Sequence, residues 1–406
     1  MQAPATTQRR RTLALLAAAT AIGALGLAAG GSAGALLAEE ITDSTAWAGL
    51  PLGFLVAGSA ASALLISWRT GRAGRAAGLV LGYAIGTAGA ALVIGAAVVD
   101  SFFLLLAGSA ALGAANAAIF LTRYAAADLG GEAGRGRALG LVFFATALGA
   151  VLSPNLLGPS GDLAEKVGLP SLSGLYLVAL AAFTASGFVL AALPQGLLPA
   201  GDTRSVTRQE LQIGLLNARA ALVVLAMTNL VMVTVMAIAP IHLVEHGHSL
   251  DVIGLVVGIH VFCMFAPSPV TGWLADRAGS AIVAAVGAAL LIAAGASGAL
   301  LDLSHSTEMT AMLALLGLGW NAGIVGGSTM LAASVPPVLR PQTEGIGEVA
   351  MGLAAGAGAP MAGLLVAYGN FTTLSIAGAI GGALMVTALR LRDRTQPASK
   401  RLIECL

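Results

Sequence analysis

VAMGLAAGAGAPMAGLLVAYGNFTTLSIAGAIGGALMVTAL, residues 349–389, runs for 41 residues without a charge. A helix that crosses a bilayer needs about 20 apolar residues. The stretch is therefore long enough for two crossings, with Tyr368-Gly369-Asn370 as the break between them. Outward from this pair the same pattern recurs. Charge-free runs of suitable length fall at 12–38, 46–68, 76–99, 101–122, 138–161, 167–195, 220–241, 252–275, 279–301 and 309–334. These and the pair make twelve spans.

Composition agrees. Of 406 residues 57% are hydrophobic and only 10% are charged, and the mean hydropathy is +0.90. A soluble chain carries about a quarter charged residues to face water. The chain is too apolar to be disordered. A net charge of +1 lacks the basic excess that phosphate neutralisation demands, which excludes a nucleic-acid partner. Lipid is the remaining solvent.

Lys and Arg collect on alternate loops. One side holds Arg9–Arg11, Arg69, Arg72, Arg75, Arg123, Arg135, Arg137, Arg204, Arg208, Arg219, Arg277, Arg340, Arg390, Arg392, Arg394, Lys400 and Arg401, and the other only Lys166. A missed or extra span would scramble this split. Both termini and the central loop are accordingly expected in the cytoplasm, and the protein in the inner membrane as a multi-pass chain. The first apolar run is too long for the core of a secretory signal and reads as a retained helix. Cys263 and Cys405 are too few and too distant for a disulfide framework or a zinc site.

A polar connection at 199–218, with Asp202, Arg204, Arg208 and Glu210, follows the sixth span. It divides the chain into a bundle at 1–198, a linker at 199–218, a second bundle at 219–391 and a tail at 392–406. Three weak matches suggest that the bundles are copies. Arg69-Thr70-Gly71 matches Arg277-Ala278-Gly279, Asn116-Ala117-Ala118-Ile119 matches Asn321-Ala322-Gly323-Ile324, and Pro154 matches Pro360, at offsets of 208, 205 and 206. Parallel repeats of this kind are one transporter plan, with substrate held near the midplane.

Gly272-Trp273-Leu274-Ala275-Asp276-Arg277-Ala278-Gly279 resembles the loop motif G-x-L-x-D-R-x-G of the major facilitator superfamily. The resemblance covers the whole chain, as six plus six helices. It implies an all-α membrane fold of two pseudo-symmetric six-helix bundles that rock about a central cavity. It also implies an inner gate formed by Gly272, Asp276, Arg277 and Gly279. The first-half copy, Leu64 to Arg72, is degraded on this alignment, with Leu64 for the glycine, Trp68 for the aspartate and Arg69 for the arginine. Gly149-Ala150-Val151-Leu152-Ser153-Pro154-Asn155-Leu156-Leu157-Gly158 resembles the family's antiporter motif, associated with drug/proton exporters. Its small residues suit close packing of helix 5 on a neighbour from the other half, and Pro154 suits a bend. The family's helix-4 Arg-x-x-Gln-Gly is missing.

Polar groups inside a bilayer are costly and so mark candidate sites. Asn116 and Asn321 occupy equivalent repeat positions, where their amides either bind substrate or bond helix to helix. Trp320 offers a flat face for stacking or packing. Asn229 lies among Met227, Met232 and Met236, flexible side chains that suit varied ligands or ordinary packing. His260 is a proton carrier or a structural histidine. Glu348 is the candidate coupling acid, or else an inner-gate partner of Arg340 or Arg277. Glu344, one turn earlier on the same face, reads as a solvated cap, and Arg123 and Asp128 as gate charges. His242 and His246 read as a solvated turn, with a shared metal the other option.

No G-x-x-x-x-G-K-[ST] or H-E-x-x-H occurs, which removes a phosphate cradle and a zinc-hydrolase site, and the one G-x-S-x-G, Gly30-Gly31-Ser32-Ala33-Gly34, falls within the first apolar run. The reading is of a non-enzymatic, cofactor-free monomer that exchanges a small amphipathic compound for protons. An importer of a nutrient or vitamin and a non-transporting sensor are the alternatives.

Overall fold

The computed structural model describes residues 3–26, 33–44, 47–193, 204 and 206–403. Residues 199–203 and 205 of the expected linker lie outside them, as does Cys405. The described chain is helical, with no strand. In order the helices are α1 (Ala3–Ala24), α2 (Gly34–Thr42), α3 (Leu50–Ala73), α4 (Arg75–Val99), α5 (Phe102–Leu152), α6 (Leu157–Lys166) and α7 (Gly174–Ala191). They continue as α8 (Arg208–Glu245), α9 (Leu250–Phe265), α10 (Ser268–Ala278), α11 (Ser280–Leu300), α12 (Ser306–Ser334), α13 (Arg340–Ala367) and α14 (Phe371–Ile403).

Ten helical segments among the described residues are long and apolar enough to span a bilayer. One of them, Phe102–Ala150, has 49 residues. At 1.5 Å per residue it is about 74 Å long, more than twice a hydrocarbon core of about 30 Å. It therefore holds two crossings, with Gly131 at φ +60° between them. The first expected span, 12–38, is the remaining one and takes in the later part of α1 and the start of α2, with residues 27–32 outside the described ones. The twelve crossings of the sequence reading result, with different joints. The fourth and fifth run on as one helix. The fifth breaks at a 3-10 turn, Ser153–Leu156, that contains Pro154. The eighth breaks between Phe265 and Ser268, at Ala266-Pro267. The seventh starts at Arg208, with Thr207 and Glu210 forming a reciprocal capping box that satisfies N–H groups the helix leaves open.

The chain forms two compact units. The first takes Met1–Gly131, Leu141–Ser205 and Glu344–Gly352, and the second Glu132–Gly140, Val206–Thr343 and Leu353–Leu406. In the first, α4 packs on α3 and α7, and α7 on α1. Tyr83, Tyr176, Leu16 and Leu79 are buried there. In the second, α11 packs against α12 and α14, and α8 against the same two, around Leu291, Leu313, Ile324 and Met385.

From the end of α3 into α5 the copies align at an offset of 205, which corrects the register read from Arg69-Thr70-Gly71. Gly74 and Gly279 both have left-handed φ, +88° and +99°. Each is the turn after a helix that ends in Arg-Ala, Arg72-Ala73 and Arg277-Ala278. Close approaches repeat as well: Gly82 faces Ala118 in the first unit, and Gly287 faces Gly323 in the second. In this register Ser67 replaces the motif glycine, Gly71 the aspartate, and Arg72 is the conserved arginine. The Arg69-Thr70-Gly71 match stands three residues out of this register because an Arg-x-Gly triplet occurs twice within six positions.

Helix 5 packs on both halves of the sequence. A Cβ on Gly149 would collide with Ala21 and Ala24 of α1. The partner of Gly149 is thus α1, while Gly140, earlier in the same crossing, packs on Ser268 of α10 from the other half of the sequence. Gly158 has nothing within 4 Å of where a Cβ would lie.

Candidate functional site

In the first unit, α4, α5 and the Glu344–Gly352 segment of α13 bring five charged side chains together. Arg75 opens α4, immediately after the Gly74 turn. Its Nε donates to Asp128 at 2.8 Å. Its Nη2 donates to Glu344 Oε1 at 3.0 Å, and Nη1 bonds the other Glu344 oxygen. Asp128 and Glu344 have side-chain exposures of 5% and 1%. Glu344 is thus no solvated cap but half of a buried bidentate pair, the strong form of an arginine contact.

About one turn inward, Arg123 is 1% exposed. It is paired with Glu348, rather than Glu348 with Arg340 or Arg277. Its Nη1 donates to the Phe120 carbonyl at 2.9 Å, and its Nη2 to the Tyr124 hydroxyl at 3.2 Å. The guanidinium carbon lies 4.6 Å from the Tyr124 ring centroid, 5.4 Å from Phe143 and 6.0 Å from Phe120. A buried cation is tolerated only when its charge and donors are met. Here one carboxylate and three ring faces meet them.

The second unit uses a different device. The Asp276 carboxylate accepts from the backbone N–H groups of Gly136 and Arg137 at 2.6 and 3.0 Å, and from Arg137 Nε at 3.3 Å. Gly272 and Gly136 sit backbone to backbone. The first unit, with Gly71 in place of the aspartate, cannot make this bond, and its ion pairs occur instead. Arg69 is exposed and joins none of these contacts, while Arg277 lies over the Trp273 ring. Gly279 is the turn before α11, and Arg340 is the first residue of α13.

The amide candidates separate by environment. Asn321 is 2% exposed. Its Nδ2 donates to the Met264 carbonyl and to Ser268 Oγ, both at 2.7 Å, and its Oδ1 accepts from Thr271 at 2.6 Å. It knits α12 to both pieces of the broken eighth span. Asn229 is half-buried and accepts from Trp320 Nε1 at 3.2 Å. Trp320 stands edge-on to Phe265 at 5.3 Å. Met232 and Met236 continue the α8 face at half-buried positions. His260 Nδ1 bonds the Leu313 carbonyl at 2.8 Å, and Nε2 is buried without a hydrogen-bond partner. In the first unit Asn116 donates to Ser59 at 3.0 Å. The His242 and His246 rings lie 4.2 Å apart. Outside the spans, the Ser304 hydroxyl and N–H hold the Asp302 carboxyl below the usual carboxylate range.

Arg75 and the buried role of Glu344 escape a reading of sequence alone. The spacing of Glu344 and Glu348 already puts both on one helix face. Only their burial, opposite Arg75 and Arg123, makes that face a site.

Ten long apolar helical segments, with ion pairs buried among them, define a polytopic membrane protein. The chain belongs to the major facilitator superfamily: residues 220–404 match the model of that family. The MFS-type transporter YddS of Bacillus subtilis is 35% identical over 390 residues, 93% of this chain and 89% of that one. The riboflavin transporter RfnT of Brucella anthropi is 29% identical over 350 residues, 85% of this chain and 86% of its own. The crystal structure of the family member FucP in the outward conformation superposes with a TM-score of 0.76 at 17% identity, covering 95% of this chain and 99% of FucP. These relatives are transporters, not enzymes.

Proposed function

We propose that the chain is a proton-coupled secondary transporter that exports a small, uncharged amphipathic compound. It works as a monomer in the cytoplasmic membrane, with both termini inside, and exposes its substrate site to each side in turn. The observation that carries the coupling is the buried Arg123–Glu348 pair. A proton on Glu348 removes the charge that Arg123 faces. The Glu344–Gly352 segment then loses one of its two ionic ties, that to α5, and keeps the one to α4, so proton load and helix packing are linked. The gate residues are Arg75, Asp128 and Glu344 in the first unit and, separately, Gly272, Asp276, Arg277 and Gly279 in the second. In the second unit half-buried Asn229, Met232 and Met236 offer the substrate a largely apolar face, with buried Trp320 bonded to Asn229 and His260 buried as well; in the first unit Asn116 offers an amide. Asn321 serves as scaffold, because its amide is already used.

The outward direction rests on the helix-5 resemblance. The riboflavin transporter relative favours a second reading, uptake of a vitamin-like aromatic compound. Proteoliposomes with an imposed proton gradient separate the two. Export predicts substrate accumulation on the side opposite to that for uptake, and a protonophore abolishes it. A membrane potential is worth about 2.3 kcal/mol per charge per 100 mV, enough for well over a tenfold gradient. Glu348→Gln is expected to lower gradient-driven accumulation at least about tenfold while substrate exchange persists. Full gradient-driven transport by that variant overturns the coupling role.

A further inference from the structure

Two exposed side-chain pairs, of whose four residues the transport reading uses only Arg277, occupy identical places in the repeat. Trp68 and Arg72 end α3, and Trp273 and Arg277 end α10, each set 205 residues from its counterpart. The Arg72 guanidinium carbon lies 4.4 Å from the Trp68 ring centroid, and that of Arg277 lies 5.3 Å from Trp273. The indoles are 49% and 41% exposed. Both arginines are exposed, and among the described residues neither forms a hydrogen bond or an ion pair. The neighbouring carboxylate is not available to Arg277, because Asp276 is engaged by Gly136 and Arg137.

An arginine in the last turn of a helix is favoured by the helix dipole, which explains the position but not the exposed tryptophan. Tryptophan gathers at the membrane–water boundary, and these two lie on the side that carries the basic residues. Stacking holds each guanidinium flat and leaves its N–H edge open, and that planar edge matches the oxygens of a phosphate. The adjacent Gly74 and Gly279 turns end the helix just past the cation. We propose that Trp68–Arg72 and Trp273–Arg277 are binding sites for the headgroup of an anionic phospholipid, one on each unit. The phosphate sits on the guanidinium edge, and the indole lies against the glycerol region.

Native mass spectrometry of the full chain in detergent, with added phosphatidylglycerol or phosphatidylcholine, tests this. The wild type is expected to retain two phosphatidylglycerol molecules in preference to phosphatidylcholine. Arg72→Gln and Arg277→Gln are each expected to weaken one site about fivefold, and the double variant both sites. Trp68→Leu and Trp273→Leu, which keep the charge, are expected to weaken the same sites, a loss that a general charge effect does not produce. All four positions are exposed, so unchanged size-exclusion profiles certify the fold. Equal retention of the two lipids, or wild-type phosphatidylglycerol binding by the double arginine variant, overturns the proposal. Glycerol 3-phosphate binding as tightly as the lipid also overturns it, by reassigning the pairs to a soluble phosphate compound.

Discussion

Replacing Arg123 with Leu destabilises the chain by about 3–5 kcal/mol, the usual cost of stranding a buried charge. The Glu348 side chain is only 10% exposed and faces Arg123 inside the helix bundle. With the cation gone, its carboxylate has neither water nor counter-charge. Arg123→Leu combined with Glu348→Leu is expected to recover most of that loss, because two apolar residues replace the pair and leave no uncompensated ion. Thermal unfolding of the detergent-purified variants, followed by size-exclusion chromatography, reads the difference. The double variant is at the same time expected to lose proton-driven transport. A stable double variant that still couples would show that the pair supports the fold and not the cycle. Equal stability of the single and double variants would show that Glu348 finds another partner.

Gly272→Val removes folded protein altogether. A Cβ at Gly272 would fall inside the van der Waals surface of the Gly136 carbonyl. Backbone, unlike the tip of a long side chain, cannot step aside. Overpacking at such a point belongs with the rare substitutions that cost more than about 4 kcal/mol. The same approach holds Gly136 and Arg137 against Asp276, so the bond that anchors the start of the fifth crossing would go as well. Gly158→Ala is the contrast. It lies in the helix-5 motif but faces open space, and inside a helix alanine gains about 0.5–1 kcal/mol over glycine. Membrane yield and monodispersity of the two variants are expected to differ sharply. A Gly272→Val protein with wild-type yield would rule out the tight backbone contact.

The fold was largely legible because lipid imposes a crude constraint: long apolar runs and a one-sided distribution of arginine. Tyr368-Gly369-Asn370, a break surrounded by charge-free sequence, falls between α13 and α14. The joints were less legible. Pro267 interrupts the eighth span, yet Pro240 leaves α8 continuous, because packing decides which proline a helix tolerates. The site was legible in kind but not in pairing. Glu348 stood out as an intramembrane acid, while its partner lies 225 positions away, a separation that no spacing rule reaches. Arg75 passed as one more loop arginine because its burial depends on Asp128 and Glu344 closing over it. Asn321 drew attention as a ligand, and its neighbours Ser268 and Thr271, too ordinary to notice, absorb its amide.

The helix contacts made by glycine carry a mechanical consequence. On α4, Gly82 and Gly86 rest on Ala118 and Ala115 of α5, and Gly89 faces the backbone of Gly108, Ala111 and Leu112. Larger side chains would interdigitate there like gear teeth, and a shift of one helix along the other would require each tooth to jump between rotamers. Smooth backbone faces act as a plain bearing instead. Small axial displacements meet little friction, whereas one added methyl at any of these points works as a brake.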